Sequence, residues 1–81
     1  KMNRTIKLIW DFKGIDAKGI AAHHQIHLQE FANREKLIPG NTGSETVTDT
    51  YWMAFLIVQE KDMILVRDAL RPNRGEIMTN T

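Results

Sequence analysis

Eighty-one residues make one domain with a thin core, because a chain of this size buries only about 60–65% of the surface it exposes when unfolded. With 42% hydrophobic and 26% charged residues the composition is that of a folded globular chain rather than a disordered one, and the absence of cysteine excludes disulfides and thiolate zinc sites. Eleven Lys and Arg against ten Asp and Glu leave a formal charge of +1, without the basic excess of a nucleic-acid binder, and no apolar run nears the roughly 20 residues that span a bilayer, so neither nucleic acid nor membrane is an expected partner.

The first element reads TIKLIWDF, Thr5 to Phe12. Its alternation places Ile6, Leu8, Trp10 and Phe12 on one face and Thr5, Lys7, Ile9 and Asp11 on the other, the pattern of a strand. The segment is too short, and too interrupted by Lys7 and Asp11, for a signal-peptide core. Met2 reads as an initiator with Lys1 ahead of it, and a cytoplasmic location is expected. After Gly14, Asp16 is placed to cap a helix from Ala17 to about Leu37. On a helical wheel Ala17, Ile20, Ala21, His24, Leu28, Phe31 and Ala32 share a stripe roughly 120° wide, while Ile26 sits alone opposite it.

Pro39-Gly40 stops that helix, and PGNTGS, Pro39 to Ser44, reads as a loop. Glu45–Thr48 is a short strand and Asp49-Thr50 a turn. Tyr51 to Gln59, YWMAFLIVQ, is apolar on both faces: Tyr51, Met53, Phe55 and Ile57 on one, Trp52, Ala54, Leu56 and Val58 on the other. Asp62 to Arg71 admits two readings. A helix capped by Asp62 would align Met63, Val66 and Leu70 and stop before Pro72. A hairpin would instead turn at Glu60-Lys61 and return through Met63–Arg67. The helix fits the proline stop better. A last strand, Glu76–Thr79, follows Gly75.

The order β-α-β-β-α-β resembles the ferredoxin-like fold, an α+β sandwich with an antiparallel sheet and its helices on one face, and within it the small proteins of the dimeric α/β-barrel superfamily. The hairpin alternative would give β-α-β-β with a C-terminal hairpin in place of the second helix. The resemblance implies that two subunits pack sheet to sheet and that pockets lie between sheet and helices. Enzymes, metal binders and proteins without chemistry share this fold, so the resemblance selects no function.

Three sets of residues carry possible chemistry. His23 and His27 lie four apart on the first helix, with Glu30 three beyond, a spacing from which two imidazoles and a carboxylate could hold a divalent metal. The same groups would also make a plain solvated flank. His24 falls inside the apolar stripe, so its ring points toward the sheet. It is either a core histidine satisfied by Tyr51 or by a backbone carbonyl, or a general base in a pocket lined by Trp10, Phe31, Tyr51 or Trp52. Arg67, Arg71 and Arg74 surround a Pro-Asn-Arg-Gly loop and could bind an anion, or simply complement a helix end. No phosphate loop accompanies them, and Ser44 has no nucleophile setting. Three functions compete: a homodimeric module binding a small anionic or apolar ligand or a partner, a cofactor-free enzyme built on His24 and Tyr51, and a metal binder built on His23, His27 and Glu30. The sheet face left without a helix is the expected dimer contact, with Trp52, Ala54, Leu56 and Val58 as its apolar set.

Overall fold

A computed structural model describes residues 4–78. The elements are β1 (Thr5–Lys13), α1 (Ala17–Glu35), β2 (Pro39–Thr48), β3 (Tyr51–Gln59), a 3-10 turn at Glu60–Asp62, α2 (Met63–Leu70) and β4 (Arg74–Met78). The chain is therefore α+β, with four strands and two helices among the described residues. The strands form one antiparallel sheet in the order β2-β3-β1-β4. Met63–Leu70 is helical, which overturns the hairpin alternative. Thr79, assigned above to the last strand, lies outside the described residues.

Register decides which side of the sheet is covered. Ile6 pairs with Val58, Leu8 with Leu56, Trp10 with Ala54 and Phe12 with Trp52. These residues share one face, and both helices pack on it. Leu28, Phe31 and Ala32 of α1 and Val66 of α2 join Ile6, Leu8, Trp10, Ala54, Leu56 and Val58 in one core. Of the expected dimer set, Ala54, Leu56 and Val58 are thus the floor of the core, with Leu56 and Val58 fully buried, and Trp52 shares their face but is only partly buried. The face without helices carries Lys7, Ile9 and Asp11 of β1 and Tyr51, Met53, Phe55 and Ile57 of β3.

Several local expectations change. Asp16 and Asp62 stand at the two N-caps, but neither side chain makes a capping hydrogen bond. Ile20 lies at the edge of the α1 stripe and is 48% exposed. Lys36 ends α1 in the left-handed conformation, its N–H bonded to the last turn. Pro39 to Ser44 is strand rather than loop. β2 is an edge strand, where a missing N–H is tolerated, and a bulge between Pro39 and Asn41 absorbs Gly40 at φ +67°. Gly43 serves packing: a Cβ there would lie 2.5 Å from the Phe55 ring, so the glycine makes room for that ring on the sheet.

Candidate functional site

The α1 stripe delivers His24 to the sheet. Its ring centroid lies 5.1 Å from that of Trp10 and 5.3 Å from that of Phe12. The side chain is half-buried, and its Nε2 is enclosed without a hydrogen-bond partner. Burial lowers its pKa below the ordinary imidazole value, and the neighbouring His27 and His23 push in the same direction. Tyr51, expected beside His24, is on the opposite face of the sheet, where its hydroxyl donates to Asp11 Oδ1 at 2.8 Å. His24 and Tyr51 therefore cannot act together on one substrate within a chain. The error lies in strand parity: Tyr51 alternates with Trp52, and only Trp52 shares the helix side.

Of the residues expected to line a pocket around His24, Trp10 packs against its ring, and each has a further partner. Trp10 donates its indole N–H to the Leu70 carbonyl at 3.0 Å, tying β1 to the end of α2. Phe31 is core, with the Arg34 guanidinium 5.2 Å above its ring. Trp52 lies under the Lys18 ammonium at 5.7 Å. Among the described residues two clefts open beside α2, and His24 lines neither. One of about 350 Å³ lies between α2 and β4, and one of about 150 Å³ between the end of α1 and the start of α2.

His23 and His27 do meet, Nε2 to Nε2 at 2.9 Å. Glu30, however, approaches the other nitrogen of His27, Oε1 to Nδ1 at 3.5 Å. The three groups form a chain through the His27 ring and do not converge on a point. Among the described residues no group of three or more His, Asp or Glu is arranged to hold a metal ion. Of the three arginines, Arg67 and Arg74 both line the cleft between α2 and β4, and Arg71 is not among its lining residues. Arg67 contacts Asp68 at 3.3 Å, Arg71 ends α2 with φ +50°, and the Arg74 guanidinium crosses to the helix-free face.

That face holds a polar cluster which joins Tyr51 and Arg74, candidates for two separate sites, through Asp11. Asp11 Oδ1 accepts from Tyr51 and from Arg74 Nη2, at 2.8 and 3.3 Å, and the Asp11 N–H donates to Asn73 Oδ1 at 2.8 Å. Arg74 also contacts Met53 Sδ at 2.9 Å. The bond to Asp11 raises the Tyr51 pKa, because ionising the phenol would break it; partial burial and the Asp11 charge add to this, and Arg74 opposes it. Lys7 bonds Glu45 at 2.9 Å and lies 4.5 Å over the Phe55 ring. Between these two clusters sits Ile9, only 2% exposed, with Phe55 and Arg74 as its cross-strand neighbours. The parity of β1 and β3 was the available signal: Asp11, Tyr51 and Ile9 all fall on the face opposite Trp10.

No family model matches the chain, and no curated protein or solved structure matches it at a significant level.

Proposed function

We propose that this chain is a binding module of ferredoxin-like topology that works as a homodimer, two copies meeting through the helix-free face of the sheet. One observation supports this above the rest: Met53, Phe55 and Ile57 stay only half-buried on that face, around a fully buried Ile9, while ion pairs frame them on both sides. An apolar centre inside a polar rim is the anatomy of a protein interface. A second copy is the occupant that suits the charges. Each face carries both members of its pairs, Lys7 with Glu45 and Arg74 with Asp11, so a twofold partner brings an acid for every base. The polar network then fixes register while the apolar centre supplies the driving force.

The test is an Ile57→Glu variant, which sets a charge at the centre of the apolar patch without touching the core. At tens of micromolar the parent chain sediments as a dimer. The variant keeps its circular dichroism spectrum and sediments as a monomer. A variant as dimeric as the parent would remove the helix-free face from the interface.

A further inference from the structure

The cleft between α2 and β4 lies on the helix-covered side of the sheet, so what it holds is independent of self-association. It measures about 350 Å³, within the span of small-ligand sites. Its floor is Ile6 and Leu8, both buried. It stays open because β4 presents Gly75 opposite Leu8, and a Cβ there would already stand 3.2 Å from Leu8 Cδ2. Its outer wall is Ile77, 61% exposed although it faces the helix side. An apolar wall left in water beside an apolar floor is the arrangement an apolar occupant would complete.

The two ends of the cleft differ in charge. Glu60, Met63 and Arg67 line it at helical spacing, so Met63 separates an acidic end from a basic one. The Glu60 N–H is bonded to the Arg4 carbonyl at 2.9 Å, which places the acidic end beside the start of β1 and Ile6. The basic end lies by Leu8, Pro72 and Gly75. There, among the described residues, Arg67 is held only by its chain neighbour Asp68, at 3.3 Å with both side chains more than half exposed, a pairing too weak to immobilise the guanidinium. Arg74 also lines the cleft, but its guanidinium is paired with Asp11 at 3.3 Å; with Asp68 beside Arg67 as well, the local excess of charge is small, which suits a monoanion better than a dianionic phosphate. Glu60 repels a second carboxylate at the far end.

We propose that this cleft binds a medium-chain aliphatic monocarboxylate, its chain on Ile6, Leu8, Met63 and Ile77 and its carboxylate on Arg67. The probe is sodium octanoate, titrated below its micellar concentration into the isotopically labelled chain and followed by NMR. Amides of Ile6, Leu8, Met63, Gly75 and Ile77 shift saturably. Arg67→Gln weakens binding roughly tenfold, since a hydrogen bond between charged groups is lost. Suberate, of equal length with two carboxylates, binds several-fold more weakly than octanoate, and Glu60→Gln narrows that gap. Both substitutions are at exposed positions outside the core and leave the fold intact. The proposal is overturned if these amides show no saturable shift at several millimolar octanoate, if Arg67→Gln binds as tightly as the parent, or if octanol binds as well as octanoate. Light scattering on the same samples reads self-association separately, so a monomer that binds octanoate refutes the dimer and leaves the ligand site standing.

Discussion

Tyr51 and Asp11, forty residues apart in the chain, are joined by a 2.8 Å hydrogen bond across two strands on the helix-free side of the sheet. The bond stabilises the protonated phenol, so Tyr51 ionises above the ordinary tyrosine value near 10. A folded pKa above the unfolded one adds stability that is fully present below about pH 10 and is lost as pH rises toward the folded value. Tyr51 is the only tyrosine in the chain, so its ultraviolet titration is unambiguous. The midpoint should lie above 10 in the parent and fall in Asp11→Asn.

His24 gives the opposite dependence. Its folded pKa is lowered by burial against Trp10 and Phe12, so the unfolded chain takes up the proton more readily. Stability should drop as pH falls below about 6.5, the unfolded value, and level off below the folded one. Urea denaturation between pH 7.5 and 5 reads the effect, and His24→Gln should remove its share. An NMR midpoint for His24 above that of a free imidazole would show that a carboxylate reaches its ring.

Gly43 should resist substitution. Replacing a strand glycine by alanine ordinarily stabilises a protein by restricting the unfolded chain. Here the new Cβ would meet the Phe55 ring at 2.5 Å, and the ring would have to leave both Gly43 and the Lys7 ammonium. Gly43→Ala is expected to destabilise by about 1–3 kcal/mol. Thermal unfolding of Gly43→Ala and of Gly43→Ala/Phe55→Leu separates the clash from any backbone effect: the second variant should recover most of the loss.

Adjacent residues of β3 should respond differently to truncation. Leu56 is fully buried beneath the helices, and Leu56→Ala should cost about 3 kcal/mol by leaving a cavity. Ile57 faces the other way and is half-buried, so in dilute solution, where copies are apart, Ile57→Ala should cost much less. Chemical denaturation at low protein concentration compares them; equal losses would contradict the assignment of faces.

Much of the architecture was legible. The alternation of β1, the apolar stripe of α1 and the Pro72 stop behind α2 each reflect local periodicity, and each places an element where it is found. His24 was legible for the same reason, since a residue on a buried stripe points where its neighbours point. The side of β3 that the helices cover was not. Both faces of that strand are apolar, and the choice depends on pairing with β1, which no local pattern encodes. Ala54, Leu56 and Val58 carry no polar tip and suit a closed core, whereas Tyr51 and Met53 carry groups that profit from a wet rim; that contrast was the usable hint. The start of β2 is hidden in the sequence because Pro39, Gly40 and Gly43 signal a loop by composition, while an edge strand with a bulge accommodates all three. The Asp11, Tyr51 and Arg74 cluster assembles from three strands: parity puts Asp11 and Tyr51 on one face only once β1 and β3 are paired, and nothing local brings Arg74 to them.

The dimer is the claim on which the functional reading rests, and the mass of the particle in solution tests it most directly. Multi-angle light scattering of the parent chain at tens of micromolar should give twice the 9.4 kDa chain mass, and Ile57→Glu should give the single-chain mass. A parent chain that elutes as a monodisperse 9.4 kDa species at that concentration would contradict the account.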